Sequence, residues 1–149
     1  MLFAAAIVAA DQFAKALAIQ FLQPGVPKPV FGSLLGWYLV YNNSAAFSMG
    51  FGLTWLFTAI SSIAALVLIW YGTKVRTLGW SLLAGLALGG VVGNLLDRLF
   101  RAPAFGRGLV VDFIQIPFNF PIFNLADSAI CIAAVIVVIQ VARGRKLGG

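Results

Sequence analysis

All of the chain's acidic chemistry rests on four aspartates, Asp11, Asp97, Asp112 and Asp127; there is no glutamate and no histidine. Each sits in or beside an apolar run, where an ionised carboxylate costs several kcal/mol unless something compensates it. Such residues are functional candidates. Two carboxylates close together in a partly dry site cannot both ionise easily, so one pKa rises and the pair holds a shared proton. Such a pair can act as base on a water and as acid toward a leaving amine. That is peptide hydrolysis without a metal or a covalent intermediate. Asp112 and Asp127 are the expected pair. Asp11 has Lys15 four residues on, one helical turn away on the same face. Asp97 has Arg98 beside it. Those two read as ion-paired supports. A blander reading stands next to this one. Asn124-Leu125-Ala126-Asp127 has the spacing of a helix capping box, and Asp112 could be an ordinary loop carboxylate.

Other chemistries are excluded by residue type. The absence of His, with a single cysteine, Cys131, rules out a His/Cys metal site, an intrachain disulfide and any Ser–His or Cys–His nucleophile. Cys131 lies in an apolar run and reads as a packing or lipid-facing residue. No metal and no cofactor are expected. The net charge is +6, but there is no polar face to form a basic groove, so no nucleic acid is expected. The basic residues instead suit topology and anionic headgroups.

The elements that must position the aspartates are membrane helices. Of 149 residues, 62% are hydrophobic and 9% charged, with mean hydropathy +1.02. So little charge cannot cover a water-facing surface. Four stretches are long enough to span a bilayer, at about residues 2–22, 53–71, 78–97 and 122–142. The first carries Asp11 and Lys15, whose pairing makes them tolerable there. No basic region precedes it, so it reads as a retained span and not a cleavable signal peptide. If its helix begins at Met1, Asp11 lies near mid-membrane; if a turn or two precedes it, Asp11 lies further out.

The loop 72–77 holds Lys74 and Arg76, flanked by Trp70, Tyr71 and Trp80, and the tail holds Arg143, Arg145 and Lys146. Four spans put this loop and both termini on one side, and the positive-inside rule makes it cytoplasmic. Lys28, Arg98, Arg101 and Arg107 fall on the other side. The loops 23–52 and 98–121 then face outward. Each contains a strand-like run, residues 37–41 and 109–116, with a turn expected at Asn42-Asn43-Ser44. A small β platform and a cover on the membrane surface are expected. In the third span, Gly85, Gly89 and Gly93 repeat every four residues, the pattern of close helix contact. Beside them runs Gly90, Asn94 and Asp97 or Arg98. This helix is therefore expected at the centre, with its polar edge inward. The expected class is an all-α membrane protein forming one domain over 1–149, with Asp97, Asp112 and Asp127 near the outer interface.

Five segments resemble, in order, the signature blocks of bacterial lipoprotein signal peptidase (signal peptidase II): residues 11–15 (DQFAK), 42–47 (NNSAAF), 89–98 (GGVVGNLLDR), 111–113 (VDF) and 123–128 (FNLADS). The resemblance implies an aspartyl endopeptidase of the bacterial inner membrane, with its active site at the periplasmic face. Its substrate would be a diacylglyceryl-modified prolipoprotein, cut just before the lipidated cysteine. The family's catalytic aspartates match Asp112 and Asp127. Its other polar positions match Asn42, Asn94, Arg98, Asn124, Asp11, Lys15 and Asp97. The implied fold is four helices with a periplasmic β cradle and a short mobile periplasmic helix over the site. Globomycin-type cyclic peptides are the implied inhibitors, and a monomer is expected. At Ser44 the family usually has glycine. Asn94 and Asn124 are expected to bind the aspartates or the substrate backbone, and Arg98 to hold the loop or a nearby carbonyl.

Three rival readings predict different behaviour. A proton-coupled transporter subunit would use Asp11 and Asp97 as a relay. A Ser–Lys protease would recruit Ser44 or Ser48 with Lys15; the presenilin-type Gly-x-Gly-Asp signature is absent. A non-catalytic scaffold would use every aspartate structurally.

Overall fold

The structure is a computed structural model that describes residues 1–43 and 53–148. Four helices form the body: α1 (Leu2–Phe21), α2 (Thr54–Gly72), α3 (Leu78–Phe100) and α4 (Leu125–Ala142). Each is long and apolar enough to cross a membrane. Their outward faces carry bulky apolar side chains such as Phe13, Leu66 and Val138. Water would make that costly and lipid makes it free.

Helix α3 is central and packs against α1, α2 and α4. Half of its spanning window is buried, against 22% or less in the other three. The glycines explain the close approach. A Cβ at Gly89 would strike Ile7 and Ala4 of α1, and one at Gly90 would strike the Ala126 carbonyl and Ile130 of α4. Two adjacent glycines thus serve two different neighbours.

At one end of the bundle lies a three-stranded antiparallel sheet in the order β1 (Lys28–Phe31), β2 (Leu35–Asn42), β3 (Val110–Gln115). The strands β2 and β3 cover both strand-like runs of the sequence. Strand β1 was not anticipated: its segment is broken by prolines and pairs only at the sheet edge, where a missing N–H is tolerated. Side chains alternate along β3. Val111 and Phe113 join Leu39 and Ala18 in a buried cluster against α1, and Asp112 between them points the other way. The pairing of β2 with β3 slips by one residue between Trp37 and Val40. Such a bulge re-aims side chains, and here it lies just before Asp112's partner, Val40.

Several boundaries differ from the sequence-based expectation. Helix α3 runs to Phe100, one turn beyond residue 97. Helix α4 starts at Leu125 and not at 122, because Phe123 is held extended by a bridge to Ile114 and Asn124 caps the helix. No separate short helix occurs among the described residues. The expected turn at Ser44, and Ser48, lie outside them.

Candidate active site

Two polar clusters meet at the sheet end of the bundle. The first is built on α1 and α3. Lys15 is completely buried and its ammonium has three hydrogens. They point at Asp11 Oδ2 (2.8 Å), Asp97 Oδ2 (2.7 Å) and Asn94 Oδ1 (3.0 Å). Asp97 is also held by Arg101 Nε at 2.7 Å and by the Val111 N–H at 3.1 Å. Gln12 Nε2 adds donors to Asp97 Oδ1 (3.1 Å) and the Gly93 carbonyl (3.0 Å). Asp11 Oδ1 accepts from the Ala126 N–H at 2.9 Å, in the first turn of α4. A helix start offers unpaired N–H groups and a positive dipole end, so a carboxylate is favourable there. Asp11 therefore sits level with the start of α4, among the other aspartates.

The second cluster joins β2, β3, α3 and α4. Asp112 is 2% exposed. Its Oδ1 accepts from Asn124 Nδ2 at 2.6 Å and its Oδ2 from Asn42 Nδ2 at 2.9 Å. Asp127 is half-buried. Its Oδ1 accepts from Asn94 Nδ2 at 2.7 Å and its Oδ2 from the Asn124 N–H at 3.1 Å. The Asp127 N–H donates back to Asn124 Oδ1 at 2.9 Å. The capping box is therefore real, and it does not compete with the site. It is the device that lets one residue, Asn124, bind both carboxylates.

The two central amides are each oriented by a partner that can only donate. Lys15 faces the Asn94 oxygen, so the Asn94 NH2 faces Asp127. The Asp127 N–H faces the Asn124 oxygen, so the Asn124 NH2 faces Asp112. Burial, helped by the neighbouring Asp127 charge, pushes the Asp112 carboxyl up to about 6 against the amides of Asn42 and Asn124, which pull it back. Among the described residues neither Asp112 nor Asp127 has an ion-pair partner, whereas Asp11 and Asp97 do.

All nine polar positions singled out in the sequence converge here, but one pairing differs. Arg98 is not the ion-pair partner of Asp97. Neighbours on a helix point in different directions, while residues four apart share a face, so Arg101 takes that role. The Arg98 guanidinium reaches the Asn94 carbonyl at 3.4 Å and Ser61 of α2 at 3.5 Å, close enough to feel Asp127, Asp97 and Asp112. Gln12 and Arg101 were missed. Their signal was the spacing: Gln12 adjoins Asp11, and Arg101 is one turn past Asp97. An apolar cleft of about 320 Å³ under the sheet, lined by Ala14, Leu17, Trp37 and Phe113, lies off this network.

The family model described as Signal peptidase (SPase) II matches residues 3–143. The chain belongs to the signal peptidase II family. The lipoprotein signal peptidase of Leifsonia xyli subsp. xyli (strain CTCB07) is 45% identical over 139 residues, 93% of this chain and 64% of that protein. That of Mycobacterium leprae (strain Br4923) is 42% identical over 136 residues, 91% of this chain and 67% of its own length. The chain thus spans about two thirds of the length of these signal peptidase II relatives. A solved bacterial membrane enzyme, obtained by the in meso method, superposes with a TM-score of 0.84 at 29% identity. The match covers 94% of this chain and 90% of that one. With four helices long and apolar enough to cross a membrane, this is a multi-pass membrane protein.

Proposed function

We propose that this chain is an aspartyl endopeptidase that removes signal peptides from diacylglyceryl-modified prolipoproteins, with Asp112 and Asp127 as its catalytic pair. One observation carries the assignment. Two carboxylates are bound through a single residue, Asn124, and the more buried one is pushed up to about 6. Near that pH the pair holds one proton, with Asp112 its preferred carrier. The ionised Asp127 takes a proton from water as the oxygen attacks the scissile carbonyl. Asp112 gives its proton to the carbonyl oxygen as the tetrahedral adduct forms. On collapse the C–N bond breaks, and Asp127 returns its proton to the leaving amine of the lipidated cysteine. Asp112 then recovers the adduct's hydroxyl proton.

Asn94 and Asn124 position the carboxylates, and Asn42 holds Asp112 from the neighbouring strand. Asp11, Lys15 and Asp97 hold α1, α3 and α4 together at that level, and Arg98 ties α3 to α2. This division disfavours the relay and Ser–Lys readings, since every ammonium hydrogen of Lys15 is already committed. The single peptidase domain lies in the bacterial inner membrane with both termini cytoplasmic and the sheet end periplasmic. A lipidated helix can enter sideways from the bilayer there and meet water. Globomycin-type peptides would compete at the same pair.

The test is cleavage of a synthetic peptide carrying diacylglyceryl-cysteine by the purified chain. Cleavage is expected just before that cysteine, and Asp112→Asn and Asp127→Asn should each lower kcat by roughly 10²–10⁴-fold with melting retained. Near-normal turnover in either variant overturns the assignment.

A further inference from the structure

At the end of the bundle opposite the sheet, the charge balance is one-sided. The segments 72–77 and 140–148 hold Lys74, Arg76, Arg143, Arg145 and Lys146, and no carboxylate side chain. Among the described residues none of these five forms an ion pair. The tail does not trail away. Gly144 adopts φ +75°, a left-handed turn suited to glycine after a helix. The Arg145 N–H returns to the Gln140 carbonyl at 3.0 Å, and the Arg76 N–H bonds the Gly148 carbonyl at 3.4 Å. The last residues are thereby pinned against the start of α3.

Between α3 and α4 at this level is a cavity of about 750 Å³. Arg145, Lys146 and Gln140 line one part of it, and Leu83, Leu86 and Ile136 another. Its wall also includes Thr77 and Gly79, where α3 begins without a side-chain cap, so its first N–H groups point outward with the positive end of the helix. The Gln140 Oε1 atom is buried and has no hydrogen-bond partner. Two cations, a helix start and an orphan acceptor thus border an apolar channel. A free anion would satisfy only half of that surface.

We propose that this cavity is a binding site for one anionic phospholipid with a hydroxyl-bearing headgroup. The phosphate sits among Arg145, Lys146 and the start of α3. A headgroup hydroxyl donates to Gln140, and an acyl chain runs along Leu83, Leu86 and Ile136. Basic pockets between spanning helices take such headgroups. The lipid clamps α3 to α4 at the end remote from the carboxylates.

The experiment uses the purified chain in zwitterionic detergent, with lipid retention followed by native mass spectrometry and stability by thermal melting. The probes are phosphatidylglycerol, phosphatidylcholine, and inorganic phosphate added with phosphatidylcholine. Phosphatidylglycerol alone should be retained one per chain and raise the melting temperature. The double variant Arg145→Ala/Lys146→Ala should bind it roughly 25-fold more weakly, about fivefold for each cation. Lys74→Ala/Arg76→Ala, at the same end but outside the cavity, should keep the preference. Leu83→Trp, which fills the apolar wall, should lose it with the cations intact. Equal weakening by both double variants would mean a diffuse surface field and overturn the proposal. So would retention unchanged in Leu83→Trp, equal stabilisation by inorganic phosphate, or no preference over phosphatidylcholine.

Discussion

The two pairs of aspartates, Asp11 of α1 with Asp97 of α3 and Asp112 of β3 with Asp127 of α4, meet at the sheet end of the bundle, yet they are held by opposite means. Asp11 and Asp97 face an ammonium and a guanidinium, so two negative charges meet two positive ones. Asp112 and Asp127 accept hydrogen bonds from amides and a backbone N–H. A facing cation favours the ionised form of a carboxylate. An amide orients it while leaving room for a proton. Asn94 belongs to both clusters: its oxygen receives Lys15 and its NH2 holds Asp127. The charged cluster thus sets the geometry of the amide-held one without sharing its chemistry.

Removing the cation tests the first half of that contrast most severely. Lys15→Met keeps the bulk, leaves buried Asp11 with no cation and leaves Asp97 with Arg101 alone. A loss of about 3–5 kcal/mol is expected, read as a collapse of melting temperature in detergent. A mild effect would show that Lys15 does not neutralise the pair.

The second half predicts the reverse for Asp112. Its folded value of about 6 lies above the ordinary 3.8, so the folded state holds the proton more tightly. Stability from this group is fully present below pH 3.8 and is lost as pH rises through 6. Above that the cost approaches roughly 3 kcal/mol. Asp112→Asn should therefore melt no lower than the parent at pH 8, although inactive. Its advantage should shrink as pH falls toward 4, even after losing one good amide contact. A variant that melts well below the parent at pH 8 would place Asp112 with the ion-paired aspartates.

Spacing between helices is next in size. Gly90→Ala drives a Cβ into Ala126 and Ile130, which should cost about 1–3 kcal/mol. It should also lower cleavage by moving Asn94 away from Asp127. Wild-type melting and cleavage would mean that α3 and α4 have slack at this level.

The smallest effect concerns Asn42. Its amide favours the ionised form of Asp112. Asn42→Ala should move the alkaline limb of kcat/KM upward by up to about one pH unit, since that profile reports the free enzyme. A downward shift would contradict the sign.

Much of this was legible in the sequence. The four spans follow from composition, and the central place of α3 from Gly85, Gly89 and Gly93. The strand-like runs around Trp37 and Asp112 became β2 and β3. Three things were hidden. Strand β1 owes its state to an edge partner and not to its own residues. Arg101 could be recognised as the partner of Asp97 only if α3 continued past residue 97. The reach of Lys15 to Asp97 and Asn94 is a contact between helices, which no spacing along one helix can encode. The ion-paired aspartates were expected from neighbours in sequence: Asp11 keeps Lys15, while Asp97 pairs with Lys15 and Arg101 and not with Arg98.

The central claim is that Asp112 and Asp127 hold one proton between them. Infrared difference spectroscopy of the purified chain, titrated across pH 4–8 in D2O, measures this directly. The account predicts one protonated carboxyl band that disappears with a midpoint near 6 and is missing in Asp112→Asn. A band that persists in that variant, or no carboxyl band above pH 5, would contradict it.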